Sequence, residues 1–125
     1  MESLGIFHLV RYVSGSDPQL AGFYQRARAL VVPSSYEGFC IPLVEAMGLG
    51  CPVICSDRGP MPEVVEDAGA YFNPGDIDHM QHVLEKVLFD DSLLEDLSGR
   101  GPRRASLFSW DRTARETLDV YRTLL

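Results

Sequence analysis

Nowhere does this sequence run for the roughly 20 consecutive apolar residues that cross a bilayer, so it predicts no transmembrane helix. Its start, Met1-Glu2-Ser3-Leu4-Gly5, has no cationic segment followed by an apolar one, so no secretory signal is expected. Basic residues are scarce. Eleven Lys and Arg face 18 Asp and Glu, a formal net charge of -7. That excludes the electrostatic footprint of a nucleic-acid binder and leaves no basic patch to hold an anionic membrane. Cysteine is sparse too: Cys40, Cys51 and Cys55 only. An odd number set among apolar neighbours argues against a disulfide framework, and Cys51 and Cys55 do not have C-x-x-C spacing. All three are expected to be reduced and packed, in a cytoplasmic setting.

What is present is ordinary globular material, 46% hydrophobic and 23% charged over 125 residues, enough for one domain spanning 1–125 with one core. Short apolar runs at Ile6 to Val13, Ala29 to Val32, Pro52 to Cys55 and Gly69 to Phe72 read as strands. Helices are expected between and after them. Asp17-Pro18 opens one with Leu20, Phe23, Tyr24 and Ala27 on a face. Pro42 to about Gly48 forms another, and Met61 to Glu66 a short one. Asp76 caps a helix striped by Ile77, Met80, Leu84, Val87 and Leu88. Ser92 with Glu95 is a capping box for the next, which Gly99, Gly101 and Pro102 should break or kink. Ser109 caps the last, with Trp110, Ala114, Leu118, Tyr121 and Leu125 on its apolar face. Strands with few alternating polar positions, interleaved with helices, indicate an α/β fold: a parallel, Rossmann-like sheet of about four strands with helices on both faces.

Ligands of such sheets bind beyond the carboxyl ends of the strands. The loop there, Ser34-Ser35-Tyr36-Glu37-Gly38-Phe39-Cys40-Ile41-Pro42, leads into a helix. Gly38 lets the backbone approach a ligand. The amides of Phe39, Cys40 and Ile41 precede a helix N-terminus, where free N–H groups and the helix dipole suit a phosphate. Glu45 stays within the first turn and Glu37 lies across the same mouth. The resulting order of carboxylate, amides and carboxylate matches the hydroxyls, diphosphate and ribose diol of a nucleotide sugar.

Glu37 and Glu45, with seven residues between them, resemble the Glu-x7-Glu signature of glycosyltransferase family 4, whose fold is the two-domain GT-B. The flanks are similar to that family as well. They are Ala29-Leu30-Val31-Val32-Pro33-Ser34 before the signature and Ala46-Met47-Gly48-Leu49-Gly50-Cys51-Pro52-Val53-Ile54 after it. Downstream come Gly59 with Pro62-Glu63-Val64-Val65, Gly69 to Asp76, and Phe108-Ser109-Trp110 to Tyr121. The likeness covers nearly the whole chain and corresponds to a C-terminal donor-binding domain shortened at its N-terminal side.

The resemblance implies a hexosyl transfer from a nucleotide-diphosphate sugar to a sugar or lipid-linked acceptor, with retention at the anomeric carbon. It implies no metal and no cofactor, the nucleotide sugar being a substrate. Glu37 would contact the donor sugar and serve catalysis. Gly38, Phe39, Cys40, Ile41 and Leu43 would hold sugar and phosphate, and Glu45 the ribose. Tyr12 and Val13 lie where the base is usually held. Family members carry an Arg and a Lys on two earlier strand–helix units, and an N-terminal acceptor domain. Without them the chain alone is expected to be inactive, to self-associate through an unpaired edge, and to meet a membrane only through its acceptor or the missing domain. Arg11 stands where the family commonly has a small residue.

Blander roles compete. Glu37 alone is an ordinary loop charge, and Glu45 alone an acid favoured by the dipole. Asp57 and Arg58 read as solvated, Glu63 as stabilising its own helix, and His79 and His82 as surface residues lacking further metal ligands. Cys40 beside a helix N-terminus lacks a paired base and is expected to act through its backbone. Trp110 and Tyr121 are core or interface residues. An inactive binding or interaction module is the alternative to a transferase. A nucleotide-sugar epimerase of similar fold is disfavoured by the Glu-x7-Glu context.

Overall fold

The computed structural model describes residues 4–124. Met1 to Ser3 and Leu125, both named above, lie outside the described residues. Three strands, β1 (Leu30–Val32), β2 (Val53–Ser56) and β3 (Gly69–Phe72), form a parallel sheet in the order β1-β2-β3. Leu30 pairs with Val53 and Val53 with Gly69, so the three strands end together at one edge. Parallel neighbours need crossovers, and helices provide them. Around the sheet lie α1 (Asp17–Arg26), α2 (Ile41–Gly48), α3 (Met61–Val65), α4 (Ile77–Leu88), α5 (Asp91–Ala105) and α6 (Trp110–Thr123).

The sheet is buried on both faces. Val53 and Cys55 pack with Tyr24, Leu43, Met47, Met61 and Val65 of α1, α2 and α3. Ile54 and Phe72 pack with Val87, Leu94 and Leu97 of α4 and α5 on the other side. Every residue of β2 is buried, as a central strand covered twice must be. Complete burial of a side chain such as Leu43 or Phe72 stabilises the fold by about 1.5–3 kcal/mol each.

The sheet has one strand fewer than the expected four. Residues 6–13 form a single 3₁₀ turn, Phe7–Leu9, followed by backbone in no regular element. The Val10 amide closes that turn on the Phe7 carbonyl at 3.2 Å. A strand is held by its neighbour's backbone rather than by its own apolar content. Among the described residues β1 pairs with β2 alone, and nothing pairs with 6–13. Phe7, Leu9 and Tyr12 are accordingly exposed.

Some helix starts also differ. Ser16, rather than Asp17, precedes α1, and its amide donates to Gln19 Oε1 at 3.0 Å in a capping box. Asp90, rather than Ser92, caps α5 by accepting from the Leu93 amide at 3.0 Å. Asp76 and Ser109 cap α4 and α6 as read from the sequence. Helix α5 runs unbroken through Gly99, Gly101 and Pro102. Gly101 is buried against α2, and that packing outweighs the hydrogen bond lost at Pro102. Trp110, Leu118 and Tyr121 of α6 are exposed, so they are not core residues.

All three cysteines are free and buried. Burial pushes the Cys55 thiol up from 9.0 to about 12, and the nearby Cys40 adds to the rise. A thiol whose folded pKa is raised stabilises the fold fully below its unfolded value, and that contribution is lost as pH climbs toward the folded one. Thermal melts are therefore expected to shift downward progressively between pH 9 and 12, with Cys55→Ala showing a shallower fall. A slope unaffected by the substitution would assign the alkaline loss to other groups.

Candidate functional site

The loop from Pro33 to Cys40 leaves β1 at the common strand edge and enters α2. Its base is fastened to β2. The Ser56 hydroxyl, fully buried, donates to the Ser34 carbonyl at 2.6 Å. Its middle rests on the loop after β2. Gly59 has φ +57, and a Cβ there would sit 3.7 Å from the Glu37 carbonyl oxygen, so the two loops run backbone to backbone.

At the end of the loop Cys40 is the residue before α2 and has φ 68 and ψ 64. A non-glycine residue in this left-handed region is uncommon and costs about 1 kcal/mol or more. The left-handed turn falls at the residue that joins the loop to the helix. Among the described residues, the amides of Gly38, Phe39, Cys40 and Ile41 donate to no backbone acceptor. Leu43 differs: its amide donates to the Cys40 carbonyl at 3.0 Å and its side chain is fully buried. The open donors are thus Gly38 to Ile41, and Gly38, Phe39 and Ile41 are exposed.

Glu37 lies on the loop three residues before Cys40, and Glu45 is the fifth residue of α2, past the first turn expected from the sequence, because the helix already begins at Ile41. Glu37 is half-buried and Glu45 exposed. Burial raises the Cys40 pKa, the Leu43 amide lowers it, and the neighbouring Glu37 carboxylate raises it again. The Tyr24 phenol is raised first by burial, then by the charge of Glu45, and more weakly by Cys40. Glu37, Cys40, Tyr24 and Glu45 therefore form one neighbourhood.

Three clefts border α2 or the loop that enters it. One of about 380 Å³ lies between α1 and α2, lined by Asp17, Leu20, Tyr24, Val44, Glu45 and Leu49. A second, about 370 Å³, is walled by Phe39, Ile41, Glu45, Phe108, Trp110 and Arg112. The third, about 470 Å³, holds Gly38, Phe39, Glu63, Arg104, Leu107 and Arg112. Glu45 lines the first two and Phe39 the last two, so they form the ridges between neighbouring clefts. Tyr12 and Val13 line none of these clefts. Tyr12 is almost fully exposed, in backbone without ladder partners.

Several of these residues carry no signal in the sequence. Arg104, near the end of α5, donates from Nε to the Val64 carbonyl at 2.9 Å and pairs with Glu66 at 3.0 Å. Its guanidinium lies 5.1 Å from the Phe108 ring centroid, and Phe108 meets Phe39 edge-on at 5.5 Å. A buttress thus runs from the end of α3 through Arg104 and Phe108 to the loop. Asp57 and Arg58 pair with each other at 3.1 Å, and Arg58 also donates to Asn73. His79 accepts from the Asn73 amide at 3.1 Å. No described helix is long and apolar enough to cross a membrane.

A parallel α/β layer with exposed amides and two acids at its carboxyl edge defines the class, and comparison with known proteins gives the family. The chain belongs to the glycosyl transferases group 1 family, whose model matches residues 1–104. It is 43% identical over 108 residues to the O-antigen chain mannosyltransferase B of Escherichia coli, covering 86% of this chain and 28% of that protein. It is 41% identical over 123 residues to the MMP alpha-(1->4)-mannosyltransferase of Mycolicibacterium hassiacum, covering 94% of this chain and 30% of that protein. Among solved structures, sucrose-phosphate synthase of Thermosynechococcus elongatus superposes with a TM-score of 0.87 at 31% identity, over 98% of this chain and 32% of that one. The chain thus spans less than a third of the length of these relatives. The fold is the Rossmann-like C-terminal layer of a GT-B glycosyltransferase, with three strands described.

Proposed function

We propose that this chain is the donor-holding part of a retaining, metal-independent glycosyltransferase that takes a hexosyl group from a nucleotide-diphosphate sugar to a sugar or lipid-linked acceptor. The observation that carries the reading is the set of open amides from Gly38 to Ile41 at an exposed helix tip, flanked by Glu37 and Glu45. Free N–H groups at the positive end of a helix hold diphosphate oxygens without needing a cation. Glu45 accepts hydrogen bonds from the ribose diol. Glu37 accepts them from the sugar hydroxyls and orients the anomeric carbon toward the acceptor. Amides aimed at the leaving diphosphate stabilise the charge that develops as the glycosidic bond breaks. The family membership and the mannosyltransferases among its relatives support a hexosyl donor.

Calorimetric titration of the chain with GDP-mannose and UDP-glucose tests this. Saturable binding of at least one, retained after extensive chelation, is the expected result. No heat of binding with either would remove the donor-holding role.

A second reading, an interaction module, is favoured by α6, whose Trp110, Leu118 and Tyr121 face solvent. Concentration-dependent sedimentation of the chain, abolished by Leu118→Glu, would support it.

A further inference from the structure

The stretch of loop that carries the open amides has little to hold its backbone. Among the described residues, neither the amide nor the carbonyl of Gly38 or Phe39 takes part in a backbone hydrogen bond. A Cβ on Gly38 would meet nothing within 4 Å, so no neighbour crowds it. Glycine also permits more backbone conformations than any other residue. On either side the chain is fastened: Glu37 runs against Gly59, and the Cys40 side chain is buried. Between those points the fastening is the Phe39 ring. It meets Phe108 edge-on, with centroids 5.5 Å apart and planes at 77°.

Phe108 is itself fixed. Its amide donates to the Ala105 carbonyl at 3.0 Å and the Leu107 amide to the Arg104 carbonyl at 3.1 Å, so its backbone is tied to the end of α5. Its side chain packs against the core that contains Leu43 and Met47. The Arg104 guanidinium stands over its ring, 5.1 Å from the centroid. That guanidinium is held in turn. Only 14% of the Arg104 side chain is exposed, and it bonds to the carbonyls of Glu63 and Val64 and to the Glu66 carboxylate. Any apolar neighbour would shelter Phe39 from water. An edge-on ring backed by a fixed cation also sets direction, because the ring quadrupole favours both contacts in these orientations.

We propose that Phe108 is a positioning residue: its ring, held by Arg104, fixes Phe39 and so sets the open amides of Gly38 and Phe39 in the arrangement that receives the donor's diphosphate. This rests on those amides being the diphosphate holders. A loop ordered before the ligand arrives avoids the entropy loss of ordering it on binding.

Phe108→Leu keeps an apolar side chain and deletes the ring, whereas Phe108→Tyr keeps the ring. Both are compared with the parent chain well below their melting transitions. Without ligand, backbone amide relaxation measured by NMR should give Gly38 and Phe39 order parameters of about 0.85 in the parent and in Phe108→Tyr, falling toward about 0.6 in Phe108→Leu. The strand amides should not change. Calorimetric titration with GDP and UDP should show affinity roughly three- to tenfold weaker in Phe108→Leu, the size of one aromatic pair, and restored in Phe108→Tyr. Phe39→Leu should lose as much, and the double variant no more than either single one. Phe39 is exposed, so its variant asks the same question should Phe108→Leu fail to fold. Loop order or nucleotide affinity that survives loss of the ring pair, or a Phe108→Tyr variant as weak as Phe108→Leu, would overturn the positioning role and leave the amides as diphosphate holders. A parent chain that binds neither GDP nor UDP would overturn the diphosphate role of the amides and the proposal with it.

Discussion

Gly101→Leu is expected to destabilise the domain by about 2–4 kcal/mol and to lower its melting temperature by roughly 10 °C or more. A Cβ at this position would lie 2.9 Å from the Met47 carbonyl oxygen and 3.2 Å from the Met47 Cα. Both are backbone atoms of α2, so no side chain can swing aside to make room. Either α5 lifts off α2 or α2 moves, and α2 carries the donor loop. Helix propensity opposes this loss, since replacing glycine in a helix gains up to about 1 kcal/mol. Gly99 isolates that gain: it lies in the same helix, and a Cβ there meets nothing within 4 Å. Gly99→Ala should therefore raise stability by about 0.5–1 kcal/mol. Equilibrium urea unfolding of the two variants measures both. A Gly101→Leu variant as stable as the parent would mean that α5 and α2 do not pack this closely.

The second large effect belongs to the acids. Glu45→Ala should weaken GDP or UDP binding about 10- to 100-fold, because hydrogen bonds to a charged acceptor contribute about 1.5–3 kcal/mol. Glu37→Ala should leave the plain nucleotide's affinity nearly intact and instead remove the extra affinity of the nucleotide sugar over the nucleotide. The contrast follows from placement. Glu45 is the fifth residue of α2, beside the cleft formed with α1, whereas Glu37 sits where the loop crosses the backbone of Gly59. Calorimetry with nucleotide and nucleotide sugar on both variants separates the roles. Loss of nucleotide binding in Glu37→Ala but not in Glu45→Ala would reverse the assignment.

Much of this architecture is legible in the sequence because the signals are local. Leu30–Val32, Val53–Ser56 and Gly69–Phe72 are short apolar runs closed by turn-formers, and each is a strand. Asp76 and Ser109 stand directly before their helices, and both cap them. The Glu-x7-Glu pattern is equally local, running from the loop before α2 into that helix. What the sequence leaves open depends on distant neighbours. Residues 6–13 have the composition of a strand but no ladder partner among the described residues. Asp90, Asp91 and Ser92 are all good caps, and only the path of the chain chooses Asp90. Gly101 reads as a helix breaker, yet it is the point where two helices touch. Ser56 and Arg104 come to the site from β2 and the end of α5, with nothing in their local pattern to mark them. Leu43 sits within the signature, but its amide is already occupied by Cys40.

The left-handed backbone at Cys40 sets which amino acids that site can accept. The residue is enclosed almost completely, and enclosure would ordinarily rank candidates by oiliness, with valine and isoleucine near the top. Torsion reverses the ranking. Glycine and asparagine tolerate this conformation, while branched side chains resist it most. Diversity at this position across related chains should therefore track backbone tolerance rather than greasiness, and a thiol is a compromise, compact enough for the space and unbranched enough for the bend.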